Sequence, residues 1–458
     1  MLRFLLLLWF VGGALGPVNA AEHPNILVIV VDDLGWASVG YHNQTVLTPN
    51  LDKMAREGTQ LDRFYVYPVC SPTRAALLTG QMPRRYNILT ALNGMDPGLP
   101  AGATTIATTL KAAGYQTSLI GKWHVGKANT PQGSGFEHFY GFLNAEVDYY
   151  THTNKGGMKL DWQRDGKTVR EEGYSTYLFA DEAVKQLKAR DRAKPFYLQV
   201  TFNAPHVPLS APAELIEKHK AKGTQAGLYA AVVEAMDLGI GRILDALDAE
   251  KLRQNTLVIF FSDNGASPRD GGDNTPLRAG KGTVYEGGIH TPALIRWPGK
   301  IPAGVVSTQP LGVQDIFPTV CAAVGVAAPK EPLDGSSQWV ALQQGKRLER
   351  KPFLIASFDT ALIDGDWKLL EAADGQRSLY NLKADLSERT DLATQQPDQL
   401  TRLGRLMDAL KQSLPPITVK RDNVMGGGKG GPGPGGGGPG GKGPRPRPAP
   451  APTSDKTL

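Results

Sequence analysis

The residues of this chain that could do chemistry fall, almost all of them, directly after apolar runs. "NILVIVV" (25–31) is followed by Asp32 and Asp33, and "TSLI" by Lys122 and His124 in "GKWHVG". "PFYLQVTF" (195–202) is followed by His206 in "NAPHVP", and "NTLVIFFS" (255–262) by Asp263 and Asn264. Each of these is ordinary alone. An Asp pair after a strand commonly caps a helix or turn, a lone His is commonly a hydrogen-bonded structural residue, and a lone Lys is commonly solvated. Together, Asp32, Asp33, Asp263 and Asn264 form an all-oxygen donor set, which suits calcium or magnesium better than zinc. A further candidate is "YPVCSPTRAALLTG" (67–80), which holds one of only two cysteines. Ser71 can cap a helix there, Pro72 fits its first turn and Gly80 its end. Cys70 would then sit just before a helix N-terminus, where free N–H groups and the dipole favour anions, with Arg74 one turn on and within reach. Cys321, in "DIFPTVCAAVG", lies among apolar residues at helical spacing and reads as a small buried hydrophobe.

For these groups to meet, the chain must fold so that the strand ends share an edge. Apolar runs alternate with amphipathic helical patterns at 48–58, 104–114, 175–190 and 227–252, the pattern of an α/β protein with a mainly parallel sheet sandwiched by helices. In such sheets ligands bind beyond the carboxyl ends of the strands, so four polar strand ends predict a site. After about residue 350 the runs become short and separated by turn signals such as Asp364-Gly365 and Asp374-Gly375, and one helical pattern comes after them at 397–414. This predicts a smaller C-terminal antiparallel sheet plus helix. The expected divisions are a leader at 1–20, a catalytic domain at 21–348, a C-terminal subdomain at 349–420 and a disordered Gly/Pro-rich tail at 421–458.

Composition excludes some partners. The formal charge is +6, but residues 426–458 carry five basic residues against Asp455 alone and Arg3 lies in the leader, which leaves about +1 on the body. A nucleic-acid partner is therefore not expected. The leader "MLRFLLLLWFVGGALGPVNA" has one positive charge, a short apolar run and small residues at its end. It reads as a cleaved secretory signal, with no integral membrane span, for a secreted or periplasmic protein; an uncleaved anchor is the alternative. Two cysteines in an exported chain do not make a disulfide scaffold.

"CSPTR" resembles the Cys-x-Pro-x-Arg signature of the type I sulfatases, in the alkaline-phosphatase-like superfamily. The likeness extends through "VDDLGW", "GKWHVG", "APHVPL", "SDNG", "GKGTVYEGGIHTPALIRWPG" and the late "DGDWKLL" and "LYNL". It implies that a formylglycine-generating enzyme oxidises Cys70 to formylglycine, and that one Ca2+ is held by Asp32, Asp33, Asp263, Asn264 and residue 70. By the same likeness Arg74 steadies residue 70, and Lys122 and Lys281 contact the sulfate. His124 would act on the formylglycine hydroxyl and His206 beside the leaving oxygen. The implied reaction is hydrolysis of a sulfated carbohydrate or aryl sulfate. The alternatives are a phosphodiester or phosphonate monoester hydrolase of the same superfamily, or a non-catalytic binder of sulfated glycans. Ala37-Ser38 stands where many members carry Gly-Asp, and His290 where Arg is common; both should bear on packing or substrate rather than on the reaction. Tyr149, Tyr150 and His152, in "DYYTHTNKG", are candidates to line a sugar pocket.

Overall fold

The apolar runs become the central strands of one sheet. The computed structural model describes residues 23–419 apart from 155, 156, 158, 221 and 222. The expectations for 1–20 and 421–458 lie outside the described residues. In chain order the strands are β1 (Asn25–Val31), β2 (Thr59–Leu61), β3 (Phe64–Tyr65), β4 (Gln116–Lys122), β5 (His138–Phe142), β6 (Gln163–Arg164), β7 (Lys167–Thr168), β8 (Phe196–Thr201), β9 (Thr256–Ser262), β10 (Ala293–Arg296), β11 (Val305–Ser307) and β12 (Leu311–Gly312). Ten of them form the main sheet, in the order β11-β2-β10-β9-β1-β8-β4-β5-β6-β7, while β3 and β12 pair separately.

The register sets the site. β1 runs parallel to β8 on one side and β9 on the other, with Val30 opposite Thr201 and Phe261, and Val31 opposite Ser262. β4 continues the parallel array with Gly121 opposite Thr201. Asp32, Lys122 and Asp263 therefore leave strands of one parallel array at one level. The close approach of β4 and β8 needs Gly121, since a Cβ there would lie 1.9 Å from the Thr201 carbonyl oxygen. All seven residues of β1 are buried, because alternate side chains enter cores on opposite faces. Ile26, Val28 and Val30 join one core, and Leu27, Ile29 and Val31 the other.

Some expectations shift. The "TSLI" strand extends from Gln116 through Lys122, so that lysine ends the strand rather than coming after it. Ser71 does not cap the next helix. The helix spans Cys70–Thr79 with Val69 as its N-cap, so Cys70 is the first helical residue, and the Ser71 hydroxyl instead accepts a hydrogen bond from the Leu92 N–H. The chain is already turning at Cys70, two residues earlier than the Ser-Pro pair suggests. β6 and β7 are two polar residues each, and β5 is five residues broken by Gly141, so sequence periodicity does not find them.

Past residue 350 the chain forms the antiparallel sheet β13 (Phe353–Ala356), β14 (Thr360–Asp364), β15 (Trp367–Glu371) and β16 (Arg377–Asn381), succeeded by the Pro397–Gln412 helix. One face of this sheet packs Leu354, Leu362, Leu369 and Leu379 against Leu403 and Met407 of that helix. The other face sends Phe353, Ile355, Ala361 and Ile363 into the first core of the main sheet. A fully buried ion triad sits at this junction. The Lys368 ammonium lies 2.8 Å from Glu286 Oε1 and 2.8 Å from Glu388 Oε1. Burial would raise the Glu286 carboxyl, but Lys368 and His290 hold it below its ordinary value. Removing the shared cation strands two buried carboxylates. Lys368→Met should cost about 3–5 kcal/mol of unfolding free energy, read by denaturant titration; a loss within experimental error would show that the triad does not hold the two sheets together.

Candidate active site

The predicted residues converge at the carboxyl edge of the sheet, where each is placed by a different element. Asp32 and Asp33 come directly after β1, Lys122 ends β4, His124 lies two residues on, His206 comes after β8, and Asp263 and Asn264 after β9. Cys70 and Arg74 come from the first turns of a helix, and Lys281 from the loop before the short Glu286–Ile289 helix. Every one of these residues is buried except His206 and Lys281, which are partly exposed.

Opposite charges interlock. The Lys122 ammonium donates to Asp32 Oδ2 at 2.5 Å. The Arg74 guanidinium donates to Asp263 Oδ2 through Nε at 3.0 Å and Nη2 at 2.7 Å, and through Nη1 to the Lys122 carbonyl at 3.1 Å. Lys281 donates to Asp33 Oδ2 at 2.7 Å, and the Asn264 amide to Asp33 Oδ1 at 2.6 Å. His206 Nε2 lies 3.7 Å from Asp33 Oδ2. Arg74 thus spends its donors on Asp263 and the β4 backbone rather than reaching back to residue 70. The Cys70 sulfur nevertheless lies with carboxylate oxygens of Asp32 and Asp263 in a group spanning no more than 4.8 Å, and Asp32, Asp33 and His206 form a second such group.

The electrostatics come from burial opposed by neighbours. Asp32 would be raised by burial, but Lys122, His206 and Arg74 hold it well below the usual carboxylate range. Burial, with Asp32 beside it, pushes Asp263 up to about 7. Burial would lower Lys281, yet Asp33 keeps it firmly protonated. Burial lowers His206, helped by Lys281 and opposed by Asp33. Burial and Lys122 lower His124 further, and burial also raises the Cys70 thiol against the pull of Lys122 and Lys281.

Two buried oxygens in this cluster, Asp32 Oδ1 and Asn264 Oδ1, have no hydrogen-bond partner. Orphaned buried acceptors of this kind cost about 1–3 kcal/mol each, and three carboxylates with one amide oxygen match the donor chemistry of a hard cation. The residues present therefore fit calcium. His124 Nε2 contacts the Leu92 carbonyl oxygen at 2.7 Å, which leaves its buried Nδ1 without a partner as well.

Backbone strain marks the same residues. Asp33 (φ 68°) and His124 (φ 54°) are left-handed, a conformation uncommon outside glycine and found where surroundings over-determine it. No sequence signal points to the groups that hold them. The Tyr229 hydroxyl, from the Gln225–Ala249 helix, donates to the Asp33 carbonyl at 2.8 Å and accepts from the Gly35 N–H at 3.2 Å. The Ser262 hydroxyl accepts from the Leu34 N–H and donates to the Asn264 carbonyl, 2.9 Å each, so one side chain ties together the loops that come after β1 and β9. Tyr149 and His152 are buried: the Tyr149 hydroxyl donates to the His206 carbonyl at 2.9 Å, and His152 stacks on Trp162. Tyr150 alone of that trio is exposed. His290 is buried too, with its ring nitrogens at the Glu286 carboxylate and the Asp62 carbonyl, while the Ser38 hydroxyl bonds the Asp273 carbonyl.

This fold and edge define a class. The family model for sulfatases matches residues 24–326, and the chain belongs to the sulfatase family; it is a sulfuric ester hydrolase. The N-acetylgalactosamine-6-sulfatase of Canis lupus familiaris is 35% identical over 79% of this chain and 73% of its own. Arylsulfatase J of Mus musculus is 29% identical over 86% and 77%. Among solved structures, Ps i-CgsB in complex with k-i-k-neocarrahexaose superposes with a TM-score of 0.80 at 33% identity, over 87% of this chain and 94% of that one. No described helix is long and apolar enough to cross a membrane.

Tyr229→Phe keeps the ring but leaves the Asp33 carbonyl unpaired in a buried site. It should lower the unfolding free energy by about 1–3 kcal/mol; an unchanged denaturation midpoint would remove Tyr229 from the support of this loop.

Proposed function

We propose that this sulfatase hydrolyses the sulfate esters of a sulfated glycan, using formylglycine made from Cys70 and one bound Ca2+. The observation that carries the reading is the convergence of the Cys70 sulfur with Asp32 and Asp263 at a helix N-terminus, beside the ammonium groups of Lys122 and Lys281. A thiol placed there faces anions, and a sulfate ester is an anion with a poor alkoxide leaving group. Asp32, Asp33, Asp263, Asn264 and residue 70 would hold the calcium, whose charge offsets that of the transferring sulfuryl group. The hydrated aldehyde would supply two hydroxyls on one carbon, one to attack sulfur and one whose deprotonation releases sulfate and restores the aldehyde.

The remaining steps belong to the chain's own side chains. Lys122 and Lys281 would bind the sulfate oxygens. The helix N-terminus at residue 70 adds N–H groups of the same polarity. His124 Nδ1, buried and unpartnered, is free to take the proton of a hydroxyl at residue 70. His206 is lowered in the absence of substrate, but an anionic ester beside it favours its protonated form, which would donate to the departing alcohol. Arg74 would act at one remove, fixing Asp263 and the backbone of Lys122.

A glycan substrate is supported by the relatives: one set is named for sulfated N-acetylgalactosamine, and one similar structure carries a neocarrahexaose. The leader sequence supports export to the periplasm or outside the cell, and the Cys-x-Pro-x-Arg motif supports a formylglycine-generating enzyme as maturation partner. Mass spectrometry of the tryptic peptide from Phe64 to Arg74 of protein made in its native host should show an aldehyde or its hydrate at position 70; a uniform thiol in fully active protein would refute the mechanism. Cys70→Ala should reduce hydrolysis of 4-nitrophenyl sulfate by roughly 10⁴-fold or more. Chelation of divalent metal should slow the wild type, reversibly on adding calcium, and an unaffected rate would count against the assigned donors.

A further inference from the structure

Two cavities of opposite character lie near the two histidines, one walled by His124 and the other by Val207 and Pro208, the residues that follow His206. The one beyond His206 has a volume of about 360 Å³ and is lined by Glu146, Asp148, Thr151 and Thr153 with Val207 and Pro208. Its described charged groups are both carboxylates. Burial would raise Asp148, but N–H groups of Thr151 and Tyr150 hold it below its ordinary value, so it is ionised at neutral pH. The other cavity, about 240 Å³, includes His124 itself in its wall, together with Asn93, Asn144, Lys127 and Lys159.

Charge accounting separates the two. In the His124 cavity Asp161 is buried, and its carboxylate already accepts from the N–H groups of Leu143 and Asn144 and from the Asn144 amide. Lys127 and Lys159 are exposed, and neither ammonium has a hydrogen-bond or ion-pair partner among the described residues. The cavity therefore presents two uncommitted positive charges and neutral amides, with His124 in its wall. Two like charges left unpaired at the mouth of a cavity repel each other, and an anion held between them relieves that repulsion.

We infer that the cavity against His124 receives a second anionic group of the substrate, carried on the sugar unit next to the one that loses its sulfate, with Lys127 and Lys159 as its contacts. The inference rests on the sulfated-glycan reading and sharpens it: the substrate is an oligosaccharide with negative charge on adjacent units, and Lys127 and Lys159 determine specificity without touching the sulfur that reacts. Among the described residues the other cavity offers carboxylates and no ammonium group, which favours the His124 side for a second anion.

Binding tests this separately from turnover. Full-length Cys70→Ala protein with calcium is titrated calorimetrically with two galactan disaccharides, one carrying a single sulfate and one carrying a sulfate on each ring. The doubly sulfated sugar should bind roughly tenfold tighter at low salt, as one or two exposed ammonium–sulfate contacts would give, and the ratio should shrink as salt is raised. Lys127→Glu/Lys159→Glu should abolish or invert the ratio, and the milder Lys127→Gln/Lys159→Gln, at exposed positions that leave folding intact, should bring it to within about threefold of unity. Equal binding of the two sugars, binding of neither, or a ratio that survives both double substitutions would overturn the inference. Failure of the sulfatase reading would show elsewhere, as formylglycine-bearing wild-type protein that does not hydrolyse 4-nitrophenyl sulfate.

Discussion

The constraint on which this structure depends is that three carboxylates, Asp32, Asp33 and Asp263, are buried within reach of one another. Burying like charges is tolerated only if each is opposed, and here each is: Asp32 by Lys122, Asp33 by Lys281, Asp263 by Arg74. Those three cations come from a strand end, a loop and a helix. No two of these elements can therefore move apart without exposing an uncompensated charge. The parallel register of β1, β4, β8 and β9 delivers the acids and Lys122 to one level, and the cations then lock the surrounding loops onto that edge. Rigidity at the site and the cost of building it have the same origin.

The same logic extends to the C-terminal sheet. Lys368, on β15, is shared between Glu286 and Glu388, and Glu286 begins the short helix just past the Lys281 loop. The face of β13 and β14 that enters the first core adds apolar contact to this ionic one. The late segment is thus a structural wall of the loop that supplies Lys281. A chain shortened at residue 348 would lose both the wall and the cation that keeps Glu286 compatible with burial.

Much of this was legible in the sequence because buried parallel strands are written as continuous apolar runs, and the residues directly after such a run must emerge at the carboxyl edge. Asp32, Asp33, Lys122, His124, His206, Asp263 and Asn264 were all readable that way. Cys70 and Arg74 were readable from helix-start chemistry, although the helix begins two residues earlier than Ser71 and Pro72 suggest. Lys281 lies in a glycine-rich loop with no strand before it, and only family likeness picks it out. Tyr229 and Ser262 were invisible: one is an aromatic residue inside a long helix, the other the last residue of a strand, and nothing local in either stretch reports partners that lie far away along the chain. Tyr149 and His152 misled for the converse reason, since a polar aromatic stretch looks like an exposed pocket wall until packing shows the rings turned inward.

Cys70 is only 2% exposed, enclosed by the helix it begins and by the strand ends it faces. A second protein could not grip a side chain in that position, let alone the backbone of Pro72 and Arg74 beside it, both of which are buried. The proposed oxidation therefore has a deadline set by folding: it must be finished while this segment is still an extended peptide. On that proposal the yield of working molecules would depend on a race between two rates, and a variant that folds faster would emerge fully structured and catalytically silent.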